Sequence, residues 1–126
     1  MPTIIDTPDA PRFKLPIAQA VRSGSLVFVS GITPFALDRT LAVGDFPAQM
    51  HQAMRNVGAI LAAAGSGFDR VVKCTVILAR RDDWAAMNGI YETYFPPGRH
   101  PARTAFEAAL PHPDFLVEVE CVAEVD

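Results

Sequence analysis

The sequence is short of several things at once, and each shortage removes a class of protein. It has two cysteines, Cys74 and Cys121, too few for a disulfide framework. Each lies in an alternating apolar run, which reads as a small buried hydrophobe rather than a reactive thiol. Its three histidines, His51, His100 and His112, stand at no metal-ligand spacing from a cysteine or from one another, so no metal is expected. Basic residues are in deficit: 11 Lys and Arg against 14 Asp and Glu, a net charge of −3. Nucleic acid is therefore not an expected partner, because phosphate binding calls for a basic patch. No apolar run approaches the roughly 18 residues of a membrane span, and residues 1–12 lack an apolar stretch of signal-peptide length. The chain reads as soluble and cytoplasmic, with no membrane partner. Motifs for nucleotides and serine hydrolases are missing too: there is no Walker A run, no GxGxxG and no GxSxG.

What remains is an apolar chain of 126 residues, 50% hydrophobic and 20% charged. That is one domain's worth, residues 1–126, with enough length to bury a real core. Proline is abundant, 11 residues, scattered singly or in pairs. This reads as punctuation of tight connections.

Residues 1–12 read as an extended N-terminal segment. Val21–Gly24 and Ser25–Ser30 read as two short strands, with apolar residues on both faces of the second, which predicts burial on both sides. Thr33–Gly44 is a loop with a turn at Asp38–Thr40. Asp45–Ala64 is the strongest helix: Met50, Ala53, Met54, Val57, Leu61 and Ala64 form one stripe. Asp45 lies near its cap, Pro47 in its first turn and Gly65 at its end. Gly58 in mid-helix predicts close packing on a sheet. Val71–Leu78 is a strand with Val72, Cys74, Val76 and Leu78 inward. A second helix follows, capped by Asp82, with Trp84, Met87, Tyr91 and Tyr94 as its inner stripe. Ala102–Ala108 and Phe115–Val125 complete a β-β-α-β-α-β-β order. The class is α+β, with two helices on one face of a sheet. Two helices cover one face only, so the other is either wetted or docked on another chain.

Few residues carry chemistry. Arg103, just past Pro101 and entering a strand, is a fixed guanidinium: either a carboxylate anchor or a surface arginine paired with an acid. Glu118 and Glu120 share a strand face: either a solvated face or, if enclosed, a general base. Ser30 and Asn88 are either local backbone hydrogen-bonders or ligand contacts.

The chain resembles the Rid (YjgF-type) family of reactive intermediate/imine deaminases, also labelled endoribonuclease L-PSP. The residues that carry the resemblance run from about Ala10 to Ala123. They are Leu26-Val-Phe-Val-Ser-Gly31, Gln49 with Asn56-Val, Ala64-Gly65, Asp69-Arg-Val-Val-Lys-Cys-Thr-Val76, Asn88-Gly-Ile-Tyr-Glu-Thr-Tyr-Phe95, Pro101-Ala-Arg-Thr104 and Val117-Glu-Val-Glu-Cys-Val-Ala123. The resemblance implies a chorismate-mutase-like subunit in a homotrimer, with sites in clefts between subunits. It implies that Arg103 grips a substrate carboxylate, that Glu118 places the attacking water, and that Ser30, Gly31, Asn88, Ile17 and Ala105 line the cleft. Hydrolysis of an enamine or imine would then give a 2-oxo acid and ammonia with no metal or cofactor. Many deaminating members carry tyrosine where this chain has Ile17, cysteine where it has Ala105 and glutamine where it has Ile32. Those changes predict a more apolar pocket and a bulkier substrate. Two further readings come from relatives: a pathway-specific 2-aminomuconate-type deaminase, suggested by Leu110-Pro-His-Pro113, and a non-catalytic carboxylate-binding or chaperone-like protein. The ribonuclease label fits an acidic chain least.

Overall fold

A computed structural model describes residues 1–126. Six strands form one sheet: β1 (Thr3–Ile5), β2 (Ala20–Ser23), β3 (Leu26–Ile32), β4 (Val71–Leu78), β5 (Ala102–Glu107) and β6 (Val117–Glu124). Their spatial order is β1-β2-β3-β6-β4-β5. Only β4 and β5 run parallel; every other pair is antiparallel. The sheet is therefore mixed, and α1 (Phe46–Ala63) and α2 (Trp84–Tyr91) complete an α+β fold. The expected element order lacks β1. Residues 3–5 pair with Arg22, Val21 and Ala20, a three-residue edge strand among prolines and too short to show a period of its own.

The long helix forms as its sequence dictates. The Asp45 carboxylate accepts from the Ala48 amide at 3.1 Å, satisfying one of the first-turn N–H groups a helix leaves open. Gly65 leaves the helix at φ +80°, a conformation that costs glycine little. Every member of the predicted stripe is buried, with Ile60 added. Gly58 serves a different contact from the one expected. A methyl there would meet the Phe68 ring at 2.9 Å, so the helix approaches an aromatic side chain beside β4 and not the sheet itself.

The core lies between helices and sheet. Val27, Val29 and Ile32 of β3, Cys74, Val76 and Leu78 of β4, and Val117, Val119, Cys121 and Ala123 of β6 are all buried. Alternation sends their neighbours to the other face, where Phe28 stays 47% exposed. Burial of β3 on both sides, expected from its sequence, is thus not met within one chain, because no helix lies over the second face. A register shift between Val71 and Lys73 turns Val71 inward and leaves Val72 exposed, correcting the predicted face of β4. Asp82 does not cap α2. A short 3₁₀ turn, Arg81–Asp83, precedes the helix and no side chain caps it; Asp83 pairs with Arg80 instead. Strand β6 starts at Val117 because Phe115 belongs to a turn, its amide bonded to the His112 carbonyl. No helix is long and apolar enough to cross a membrane.

Candidate functional site

Arg103 enters from the edge strand β5 one residue after Ala102 begins it. Its neighbour in register is Cys74, so its side chain leaves on the helix side of the sheet. There Nη1 donates to Asn88 Oδ1 of α2 at 2.7 Å and approaches the Met87 sulfur at 3.5 Å. The guanidinium carbon lies 4.9 Å from the Tyr91 ring centre and 5.4 Å from that of Trp84. Aromatic faces attract a cation, and together the contacts fix the plane of the fork. Arg103 is in none of the ion pairs, which join Arg12 to Asp6, Arg70 to Asp126, Arg80 to Asp83 and Arg81 to Glu107. Of the two readings for Arg103, pairing with an acid of its own chain is therefore excluded. Only Nη1 has a protein partner, leaving the other donors available for an anion. A shallow cavity of about 260 Å³ opens here, lined by Asn88, Tyr91, Glu92, His100, Pro101 and Arg103.

Sequence reasoning placed Trp84, Met87 and Tyr91 in a core stripe. Met87 and Tyr91 are buried, but Trp84 is 44% exposed, and both rings flank the guanidinium. Tyr94 leaves the helix for a 3₁₀ turn and is only partly buried. The buried Tyr91 hydroxyl has no hydrogen-bond partner. The Cys74 thiol nearby is pushed up to about 11 by burial, so it stays protonated and inert near neutrality. The burial of both cysteines matches their expected role. Asn88 is not a backbone hydrogen-bonder, since its carbonyl serves Arg103. Its NH₂ group makes no protein hydrogen bond. Ala105, two residues along, lies on the same face opposite Val76 and packs against the core.

Glu118 lies elsewhere. It alternates with the buried Val117 and Val119 and pairs with Ile77, so it projects from the face the helices do not cover. A methyl on Gly31 would sit 3.5 Å from its Oε1. Burial, and next the charge of Glu120, raise its pKa above the ordinary carboxylate value. No cation pairs with it. Ser30 bonds the backbone of a segment distant in sequence: its hydroxyl donates to the Ala18 carbonyl at 2.6 Å and its amide to the Gln19 carbonyl at 3.0 Å. It thereby ties residues 18–19 to β3; Ile17, next along the chain, is half exposed. Ile32, expected in the pocket, is 4% exposed and belongs to the core, because the irregularity between Val29 and Ile32 turns it inward.

The predicted residues thus fall into two groups within one chain. Arg103, Asn88 and Ala105 share the helix side, whereas Glu118 lies on the open side with Gly31 against it; Ser30 adjoins Gly31 in β3, and Ile17 adjoins the Ala18 that Ser30 bonds. Of the three histidines, only His100 lines the Arg103 cavity. No cluster of three or more His, Cys, Asp or Glu has metal-holding geometry.

Residues 7–125 match the family model described as endoribonuclease L-PSP. The chain belongs to the Rid family. A mouse relative named 2-iminobutanoate/2-iminopropanoate deaminase is 41% identical over 124 residues, covering 95% of this chain and 89% of that one. A Rid-family protein of Yersinia pestis, titled as of unknown function, superposes with a TM-score of 0.94 at 33% identity, covering 99% of this chain and all of that one. E. coli TdcF, solved with bound serine, gives a TM-score of 0.89 at 32% identity, covering 98% of this chain and 99% of that one.

Proposed function

We propose that this chain is a hydrolytic deaminase of enamine and imine intermediates derived from amino acids, acting as a homotrimer in which adjacent copies share each site. The observation that carries the reading is the state of Arg103. It is an oriented, half-buried guanidinium, bonded to Asn88 at 2.7 Å, with no acid of its own chain. Such a fork takes a carboxylate by two parallel charge-assisted bonds. The names of the mouse deaminase and of the serine-bound TdcF structure support an amino-acid-derived carboxylate. Sharing between copies follows from the separation of Arg103 and Glu118 across the sheet. Phe28 and Phe106, both nearly half exposed on the open face, supply apolar area for the contact. The acidic balance of the chain favours this small anion over RNA.

The chemistry is then short. Arg103 holds the substrate carboxylate and so fixes the adjacent C=N carbon. An enamine first takes a proton on carbon to become the iminium. Glu118 of a neighbouring copy accepts a proton from water as the oxygen bonds to the iminium carbon and the C=N electron pair moves to nitrogen. It returns that proton to the amine; the regenerated carboxylate then takes the hydroxyl proton as the O–H electron pair forms the C=O bond and the C–N bond breaks, releasing ammonia and leaving the 2-oxo acid. A carboxyl with a raised pKa is suited to these transfers. The substrate is already electrophilic, so positioning supplies much of the acceleration.

The test is ammonia release from 2-iminopropanoate and 2-iminobutanoate. The wild-type chain accelerates it. Arg103→Ala lowers kcat/KM by about 10²–10³-fold, from the loss of two charged hydrogen bonds. Equal turnover by wild type and variant overturns the reading.

A further inference from the structure

A second cavity, of about 270 Å³, lies between residues 11–15, 33–39 and 111–115. The function proposed above makes no use of it. Its surface is built from Phe13, Leu15, Phe35, His112 and Phe115. Phe35 meets Phe115 edge-on at 5.1 Å and His112 edge-on at 5.9 Å, while His112 stacks on Phe115 at 4.7 Å. The imidazole is oriented, because its Nδ1 accepts from the Asp114 amide at 3.0 Å. Arg12, Lys14 and Arg39 stand at the rim and no carboxylate lines the groove.

The walls come from three distant segments, and a buried amide pins each one. Gln19 donates to the Thr7, Ala10 and Pro11 carbonyls and accepts from the Thr7 amide. Asn56 donates to the Thr33 and Phe35 carbonyls at 3.1 and 2.8 Å. Gln49 donates to the Asp114 carbonyl and accepts from the Leu116 amide at 2.9 and 2.8 Å. Together with Thr7, these amides are the only buried polar or charged residues of the chain. Burying an amide is tolerable only when its bonds are made. Here they hold an aromatic groove open in fixed shape, which lowers the cost of binding.

Each wall is also close along the chain to a residue of the Glu118 group. Leu15 is two residues from Ile17, Thr33 two from Gly31, and Phe115 three from Glu118. Two residues span at most about 7 Å even when extended, within the reach of an aromatic amino-acid side chain, and Leu15–Ile17 is tighter still, the Ile17 amide bonding to the Leu15 carbonyl at 2.7 Å. The volume exceeds the roughly 150 Å³ cavity that accepts a benzene ring in a protein core.

We infer that this groove is the compartment for the substrate's side chain, and that it selects imines bearing an aromatic or large branched apolar group. The inference rests on the deaminase reading, and the experiment separates the two. The imines of phenylalanine and alanine are generated in place with an amino-acid oxidase, and kcat/KM is measured for each. The aromatic imine is preferred by about tenfold or more, the scale on which apolar pockets discriminate. Phe35→Ala and Leu15→Glu each reduce that preference about tenfold. Leu15 is 67% exposed, so its variant folds. Turnover without aromatic preference, unmoved by either variant, overturns the groove and leaves the deaminase reading standing. If neither imine is turned over, the deaminase reading falls and the groove is judged by calorimetry. Phenylpyruvate binding tighter than pyruvate, and weakened by Leu15→Glu, upholds it; equal binding overturns it.

Discussion

The Arg103 and Glu118 sides of the sheet solve opposite problems with the same material. Around Arg103 the cation is completed by its own chain: an amide carbonyl at 2.7 Å and two aromatic rings within 5.5 Å. What it lacks is an anion. Around Glu118 nothing completes the carboxylate. It is half buried, its nearest charged influence is the like charge of Glu120, and its proton is correspondingly harder to lose. One side is prepared to hold a negative charge still and the other to exchange a proton. The two side chains leave opposite faces of the sheet, which is why the proposed reaction draws them from two copies. On the proposed reading the complete site forms at a contact that puts the helix-side edge of one copy against the open face of another.

The strongest test of that comparison mixes two damaged chains. Arg103→Ala and Glu118→Gln subunits, each near-inactive alone, are unfolded together in equal amounts and refolded. If sites are shared in a closed ring, roughly a quarter of the interfaces pair an intact Arg103 side with an intact Glu118 side. Activity therefore rises from nearly nothing to about a quarter of wild type. A mixture no more active than its components would place both groups in one chain's site and break the argument.

Smaller, and aimed at one side alone, is the pH response of Glu118. As the base it acts ionised, so the acid limb of kcat/KM lies above the ordinary glutamate range, in the direction burial and Glu120 shift it. Glu118→Gln removes that limb and lowers kcat about 10²-fold. The stability sign is opposite to that of a salt-bridged acid. A raised carboxyl pKa means that the group's contribution to stability is present at low pH and is lost as pH rises through the folded value. Glu118→Gln is therefore at least as stable as wild type near neutrality. An unchanged pH profile would remove Glu118 from the reaction.

These two sides were unequally legible in the sequence. Arg103 stands out because Pro101 marks the entry to a strand and a guanidinium there is a local signal. The helix from Asp45 is equally local, since cap, stripe and stop lie within twenty residues. The opposition of Arg103 and Glu118 is different. Alternation tells which residues of β6 share a face, but not which face lies under the helices or which strand neighbours which. That needs the order β3-β6-β4-β5, which depends on contacts between segments far apart. The bulge at Val72 and the inward turn of Ile32 are missed for a related reason, because an extra residue resets the period of two. The aromatic groove is least legible of all. Its walls come from three loops, and the side chains that assemble them, Gln19, Gln49 and Asn56, are polar residues that a hydrophobic pattern passes over.

The smallest expected effect bears on how the Arg103 side is completed. Asn88 is a positioning residue if its work is to hold Nη1 through Oδ1. Asn88→Ala then leaves Arg103 in place, still flanked by Tyr91 and Trp84, but free to rotate about its own bonds. A hydrogen bond to a charged group contributes about 1.5 kcal/mol or somewhat more, so KM rises about tenfold while kcat changes little. The split is the informative readout. A merely structural loss would lower the fraction of folded protein and leave KM alone. A fall in kcat at constant KM, with the folded fraction unchanged by circular dichroism, would mean that the free NH₂ of Asn88 touches the reacting atoms, and that the Arg103 side takes part in the chemistry as well as in binding. Either departure would erase the division between an anchoring side and a proton-exchanging side.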